Sequence, residues 1–220
     1  MDCLYSVIPN DREAWLDKTC KRFEPEETYP RLLATLTLSL KRKDTQLYLH
    51  SWSVQQVTHL FTRALNFSDE QVQMIELAAL FHDIGKILLP DALLQKATDL
   101  TRKEFEMIRE HPVNGALLLG RLGMPDNVVE VIHHHHEHWN GCGYPGGLRG
   151  EAIPLGARLI AIADAFEAMT THRTYQATRT PRQALEELCR CAGTQFDPFL
   201  VELFYAELQA VLPGEPLYHR

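Results

Sequence analysis

Paired cysteines, long apolar runs and excess positive charge are all absent from this 220-residue sequence. Its five cysteines form no CxxC pair and no spacing typical of zinc ligation, which indicates reduced thiols. No apolar run approaches the roughly 18 residues that a membrane-spanning helix needs. The first residues, MDCLYSVIPNDREAW, also lack the basic and apolar regions of a signal peptide. We therefore expect a cytoplasmic protein that neither crosses a membrane nor is secreted.

The charge balance excludes one class of partner. The sequence has 22 basic and 29 acidic residues, which gives a formal net charge of -7. A broad surface for duplex nucleic acid has to neutralise many phosphates, so we expect no such surface. The hydrophobic fraction of 45% and the charged fraction of 23% are typical of globular proteins and exclude a disordered chain.

Helix signals run along most of the chain, and no region shows a convincing strand pattern. Ser68 with Gln71 and Thr101 with Glu104 are typical of capping boxes. The glycine-rich stretch 139–153 is predicted to be a structured loop. The sequence therefore predicts an all-α fold, with helices at about 30–42, 45–66, 69–84, 102–120, 125–138, 154–172, 181–192 and 197–211.

A histidine and an aspartate are adjacent in FHDIGK, residues 81–86. Neighbouring helical residues point about 100° apart, so His82 and Asp83 do not easily bind one ion from one face, but a short carboxylate can bridge two ions. An ordinary helix end, with Gly85 just after the helix and Lys86 near the helix dipole, explains the same letters equally well. The motif alone leaves both interpretations open.

Two further residues favour the metal interpretation. Asp164 lies among apolar residues at helical spacing, and a buried carboxylate needs a metal ion or strong donors. A salt bridge to Arg158 or Arg173 is the alternative. His111 precedes a proline, so we expect the helix to break or kink there, although such a histidine alone is more typical of an ordinary polar junction.

Five histidines lie in HHHHEH, residues 133–138. Helical spacing allows several chelating pairs, such as His134 with His138 at i and i+4, and does not choose among them. Histidine and aspartate side chains on separate helices form a nitrogen and oxygen ligand set that suits iron, manganese or similar ions. The residues thus predict metal-assisted hydrolysis without indicating the substrate.

HDIGK at 82–86, HHE at 135–137 and GYPGGL at 143–148 stand in the order seen in a known family. The sequence resembles the HD-GYP domains, bacterial metal-dependent phosphodiesterases of the HD superfamily that hydrolyse cyclic di-GMP. The resemblance runs from about residue 32 to 205, including RTY at 173–175 and GTQFDP at 193–198. It implies a domain at 30–212 that is a helical bundle with an irregular GYP loop. An N-terminal segment of unassigned role, 1–29, precedes this domain, and a tail, 213–220, follows it.

The resemblance also implies a site for two divalent metal ions, with iron or manganese as the expected metals. Asp83 is then the bridging carboxylate, and Lys86 places an ammonium beside the scissile phosphate. Arg173 contacts a phosphate, and Tyr144 contacts the substrate from the GYP loop unless that loop is purely structural. The implied metal ligands are His50, His82, Asp83, His111, His135, His136 and Asp164, which leaves His133, His134 and His138 as supporting or surface residues.

Some positions depart from the family pattern. Gln46 stands where some members carry a glutamate ligand, which favours two ions over three. Gln176 replaces a frequent lysine or arginine, whereas Asn140 and Glu167 replace usual aspartates. Both Gln176 and Asn140 lie on the substrate side of the expected site.

The expected activity is hydrolysis of cyclic di-GMP to linear pGpG, followed by GMP if the site accepts a linear dinucleotide. One alternative is a hydrolase of another cyclic dinucleotide or nucleotide. The other is a metal-binding domain that signals through protein contacts. The resemblance also makes the GYP loop a candidate contact surface for diguanylate cyclases or for sensor and receiver proteins.

Overall fold

The computed structural model describes residues 28–171 and 178–211, which form ten α-helices, two short 3-10 helices and no strand. The 3-10 helices are Ile84–Leu88 and Gly150–Ala152. The α-helices are α1 (Thr28–Lys43), α2 (Thr45–Ala64), α3 (Asp69–Phe81), α4 (Asp91–Leu94), α5 (Arg102–Arg109), α6 (His111–Arg121), α7 (Asp126–His134), α8 (Leu155–Thr170), α9 (Pro181–Arg190) and α10 (Pro198–Val211). The all-α prediction is confirmed.

Side-chain caps begin several of these helices where the sequence predicts them. Ser68 and Gln71 form a reciprocal capping box at α3, and Thr101 and Glu104 form another at α5. A third box begins α9, and the Asp44 carboxylate accepts two backbone N–H groups at the start of α2. Each cap satisfies donors that a helix start leaves without an intrahelical partner.

Three predicted helices differ from the observed ones. The region 102–120 is two helices that meet at Glu110, because Pro112, in the first turn of the second helix, has no N–H with which to continue the first. The predicted helix 69–84 ends at Phe81, and a 3-10 turn follows. The predicted helix 125–138 ends at His134, since the backbone that follows bonds to distant loop residues instead. The short helix α4 was not predicted.

The helix α2 lies at the centre of the bundle and packs against α1, α3, α8 and α10. Phe61 on α2 stacks on Phe204 of α10 at a ring distance of 4.4 Å. Phe166 of α8 meets the same ring edge-on, and all three rings are buried. Burial of such apolar area is the main force that holds the helices together. None of the described helices is long and apolar enough to cross a membrane.

Gly85 allows the turn after α3 to touch the start of α6. A Cβ atom at this position would lie 2.0 Å from the carbonyl oxygen of His111 and 2.7 Å from the amide nitrogen of Gly115. Its φ is not positive, so Gly85 is needed for close packing and not as a left-handed helix end.

We expect Gly85→Ala to lower the free energy of unfolding by about 1–3 kcal/mol, because backbone atoms have to move apart. Urea denaturation measures this change. Gly120→Ala on α6 is the matched control, since its Cβ would meet only a Val129 methyl group, at 4.0 Å. Equal stabilities of the two variants would contradict the close-packing account.

Candidate metal centre

Histidine and aspartate side chains from five parts of the bundle meet in one place. His50 comes from α2, and His82 and Asp83 follow the end of α3. His111 is the first residue of α6, whereas Asp164 lies on α8. His135 and His136 directly follow α7.

The ligand atoms form two groups that share one carboxylate. Within each group, the potential ligand atoms lie within 4.8 Å of one another. Asp83 belongs to both, and Asp164 Oδ1 adds a further oxygen 3.1 Å from His50 Nε2. The first group is Asp83, His111, His135 and His136, and the second is His50, His82 and Asp83.

Three of the histidines are oriented by backbone carbonyls in the helix that precedes each of them. In each, Nδ1 lies 2.6–2.7 Å from the carbonyl oxygen of the residue three positions earlier. Because a carbonyl only accepts, Nδ1 carries the proton and Nε2 presents a lone pair. The three pairs are His82 with Ala79, His111 with Ile108, and His135 with Ile132.

The presented atoms fit a cation. The Nε2 atoms of His111 and His135 lie only 3.3 Å apart. Within the described ranges, His82 Nε2 and Asp83 Oδ1 are buried without a hydrogen-bond partner. His111 Nε2 approaches Asp83 Oδ1 to 3.1 Å, but without hydrogen-bond geometry. Buried acceptors without a donor are costly, and a shared metal ion satisfies them. The donor set therefore fits divalent metal.

The surroundings keep Asp83, His135 and His136 in the protonation state that metal ligation requires. Burial alone raises the pKa of Asp83, but the charge of the Lys86 ammonium outweighs it and holds the pKa well below its usual range. Burial lowers the pKa of His136 to about 3, and burial with neighbouring imidazoles lowers that of His135. The aspartate is thus an anion and the two histidines are neutral.

The pocket around His50 favours positive charge. Burial lowers the pKa of this imidazole, but hydrogen bonds to Asp164 and Glu167 outweigh burial and raise the pKa to about 9. Burial raises the pKa of Asp164, but the hydrogen bond and the charge of His50 bring it well below its usual range. Two carboxylates thus lie on opposite nitrogens of one ring.

Two of the residues expected to contact substrate, Lys86 and Tyr144, lie within the described part of the chain. Lys86 Nζ donates to Asp83 Oδ2 at 2.6 Å. The Tyr144 ring stacks on His136 at a centroid distance of 4.9 Å, and burial raises the pKa of its phenol, which stays protonated. Arg173 and Gln176 lie outside the described residues.

The structure rules out two alternatives that the sequence left open. Arg158 pairs with Asp197 at 2.7 Å, so it is not the salt-bridge partner of Asp164. Because α7 ends at His134, this residue and His138 do not share a helix as an i and i+4 pair. Gln46 is exposed in the first turn of α2, four residues before His50.

A buried glutamate that the sequence left without a role organises the GYP loop, residues 143–148. Glu137 accepts the backbone N–H of Gly146 at 2.6 Å and that of Leu148 at 3.1 Å. The Tyr144 N–H donates to the His136 carbonyl oxygen at 3.1 Å. The loop that carries Tyr144 is therefore tied directly to the residues next to His135 and His136. The letters HHE show the residue but do not indicate what its carboxylate binds.

Glu167 supports His50 from behind. Its Oε2 lies 2.5 Å from His50 Nδ1, and its Oε1 accepts the Thr171 hydroxyl at 2.9 Å. A carboxylate that accepts from one ring nitrogen orients the ring and increases the basicity of the other nitrogen. In the sequence this residue was visible only as a departure from the family aspartate.

We expect Glu167→Gln to weaken metal binding by about 10- to 100-fold, because the acceptor of the His50 N–H loses its charge. Competition with a coloured chelator measures the affinity. Glu202→Gln, at an exposed position on α10, is the control. Equal affinity in both variants would exclude this role for Glu167.

Comparison with known proteins identifies the family. The HD domain family model matches residues 27–200. A protein named cyclic di-GMP phosphodiesterase from Thermotoga maritima is 33% identical over 193 residues, which is 86% of this chain and 52% of the relative. A protein of Vibrio cholerae named 3'3'-cGAMP-specific phosphodiesterase 2 is 32% identical over 179 residues, or 80% of this chain and 34% of the relative. The chain spans about half the length, or less, of these relatives.

A solved structure shows the same fold. Bd1817, described as a HDG"Y"P protein from Bdellovibrio bacteriovorus, superposes with a TM-score of 0.61 at 22% identity, covering 74% of this chain and 52% of its own. The chain therefore belongs to the HD domain family, as a member of its HD-GYP group.

Proposed function

We propose that this chain is a metal-dependent phosphodiesterase that hydrolyses cyclic di-GMP to linear pGpG, with GMP as the end product if the site also accepts the linear dinucleotide. The shared position of Asp83 between two groups of histidines supports the proposal most strongly. The relatives named cyclic di-GMP phosphodiesterases support the substrate. The domain proposed to carry the activity spans 30–212.

The ligand set is proposed to hold two divalent ions, iron or manganese, with Asp83 as the carboxylate common to both. His50, His82 and Asp164 are assigned to one ion, and His111, His135 and His136 to the other. Such ions, when bound, supply Lewis-acid activation of the phosphodiester and of water. The mix of imidazole and carboxylate donors suits these metals.

Protein side chains position the substrate and offset its charge. Lys86 is fixed beside Asp83 and is proposed to place its ammonium next to the scissile phosphate, where it stabilises the charge that develops during cleavage. Tyr144 remains a neutral phenol that can donate a hydrogen bond or stack on a base. Arg173 is proposed to add a forked contact to phosphate.

The GYP loop is the proposed contact surface for protein partners of the diguanylate cyclase, sensor or receiver classes. Its central residues Pro145, Gly146 and Gly147 are exposed. Because Glu137 ties this loop to the residues after α7, a partner on the loop would act next to the metal ligands.

A second candidate substrate is 3'3'-cGAMP. Relatives named as specific for this molecule match the chain at 32–34% identity. Both substrates present the same phosphodiester ring and differ in one purine, so the metal ligands do not discriminate between them. Discrimination requires contacts to the bases.

Anaerobic assays with cyclic di-GMP and with 3'3'-cGAMP test the proposal. In the presence of added ferrous iron or manganese, we expect pGpG to form from cyclic di-GMP, and chromatography detects it. We expect no product after chelation. Asp83→Ala is the inactive control. A metal-loaded protein that cleaves only 3'3'-cGAMP would replace the proposed substrate, and one that cleaves neither would overturn the proposed activity.

A further inference from the structure

We propose that Arg109 is a substrate-binding residue. A cyclic dinucleotide has two phosphodiesters, and Arg109 contacts the one that is not being hydrolysed. This inference rests on the proposed function and names a residue that neither the family motifs nor the cluster of metal ligands includes. Arg109 ends α5, two residues before His111.

The position of Arg109 is set by a stack of three side chains that leads from the ligand cluster toward solvent. The Arg109 guanidinium carbon lies 4.4 Å from the centre of the Tyr144 ring. The Tyr144 ring lies 4.9 Å from the His136 ring, at an interplanar angle of 27°. We call His136, Tyr144 and Arg109 the rim stack. It places a guanidinium one aromatic ring away from a candidate metal ligand.

Arg109 is exposed and is available to an anion. Within residues 28–171 and 178–211, no carboxylate forms an ion pair with it. Lys86 and Arg158 differ in this respect, since each is held by a buried aspartate. A guanidinium whose face rests on an aromatic ring keeps its N–H donors free in the plane of the group.

The chemistry of the substrate supplies the anion. A cyclic dinucleotide carries two phosphodiesters, and only one can lie on the ligand cluster during cleavage. The second one keeps its negative charge, which a group outside the ligand cluster has to offset. A free forked cation at the rim offsets that charge and matches two phosphate oxygens.

Steady-state kinetics of Arg109→Ala on two substrates test the inference. Cyclic di-GMP has a second phosphodiester, whereas bis(p-nitrophenyl) phosphate has one and reports on the metal centre alone. We expect the KM for cyclic di-GMP to rise about tenfold or more with a much smaller change in kcat, and the KM for the model substrate to rise far less. Arg109→Lys should recover only part of the affinity, because an ammonium lacks the planar fork.

Arg121→Ala, at the exposed end of α6, is the matched control, and thermal melting verifies that each variant is folded. A KM for cyclic di-GMP in Arg109→Ala equal to that of the control would overturn the inference. So would an equal rise on both substrates, which indicates a disturbed metal centre. Cyclic di-AMP has the same two phosphodiesters but no guanine, so it should inhibit Arg109→Ala more weakly than the wild type. Inhibition that does not weaken would indicate that Arg109 contacts guanine, and it would also overturn the inference. Wild-type protein that cleaves the model substrate but binds no cyclic dinucleotide would overturn the proposed function as well.

Discussion

Asp83→Ala is expected to lower turnover by at least about 10³-fold while the helical fold is kept, because the loss of a shared metal ligand removes several kcal/mol of transition-state stabilisation. The carboxylate is 1% exposed and belongs to both groups of potential ligands. Among the described residues, no other carboxylate belongs to both groups. Metal analysis should show fewer ions bound per chain, and circular dichroism should show unchanged helix content.

The fold should tolerate this change because Asp83 contributes ligand atoms and little packing. Its partner Lys86 has a side chain that is 23% exposed and can turn toward water. Asp99→Ala, in an exposed loop, is the control for loss of one negative charge. If Asp83→Ala keeps both its metal content and its turnover, the proposed role of a shared carboxylate is wrong.

Local signals in the sequence predicted the helix starts better than the helix ends. Ser68 and Thr101 form their capping boxes as predicted, and the chain breaks at His111 because of the proline that follows. The ends after Phe81 and His134 depend on contacts that are distant in sequence. Trp139 N–H, for example, bonds to the Gln195 carbonyl oxygen and draws the chain away from helix α7. Such pairings leave no mark in local periodicity.

In the candidate site too, the sequence indicated local motifs but not contacts between residues that are distant in sequence. The family motifs indicated the seven implied ligands, and the structure brings their side chains close together. The motifs did not show the roles of Glu137, Glu167 and Arg109, because each acts through a partner on another element or across a loop. For Glu167 the partner is His50, 117 positions earlier. Sequence spacing within one helix cannot reveal a contact of that kind.

Glu137→Ala is expected to lower kcat/KM by about 100-fold and to lower the free energy of unfolding by about 3 kcal/mol, since two hydrogen bonds to a charged acceptor are lost. The carboxylate is buried and holds the N–H groups of Gly146 and Leu148. Without it the GYP loop no longer keeps Tyr144 stacked on His136. The metal content should stay near the wild-type value, because Glu137 belongs to neither group of potential ligands.

Hydrogen exchange distinguishes an organised loop from a general loss of stability. Amides at 143–150 should exchange faster in Glu137→Ala, whereas those in α2 and α10 should change only as global stability requires. Glu137→Gln should recover part of the protection, because its amide oxygen accepts one N–H while its NH2 group cannot accept the other. Glu130→Ala, an exposed position on α7, is the control. Wild-type exchange in the loop of Glu137→Ala would show that the carboxylate does not hold it, and the loss of kcat/KM would then need another cause.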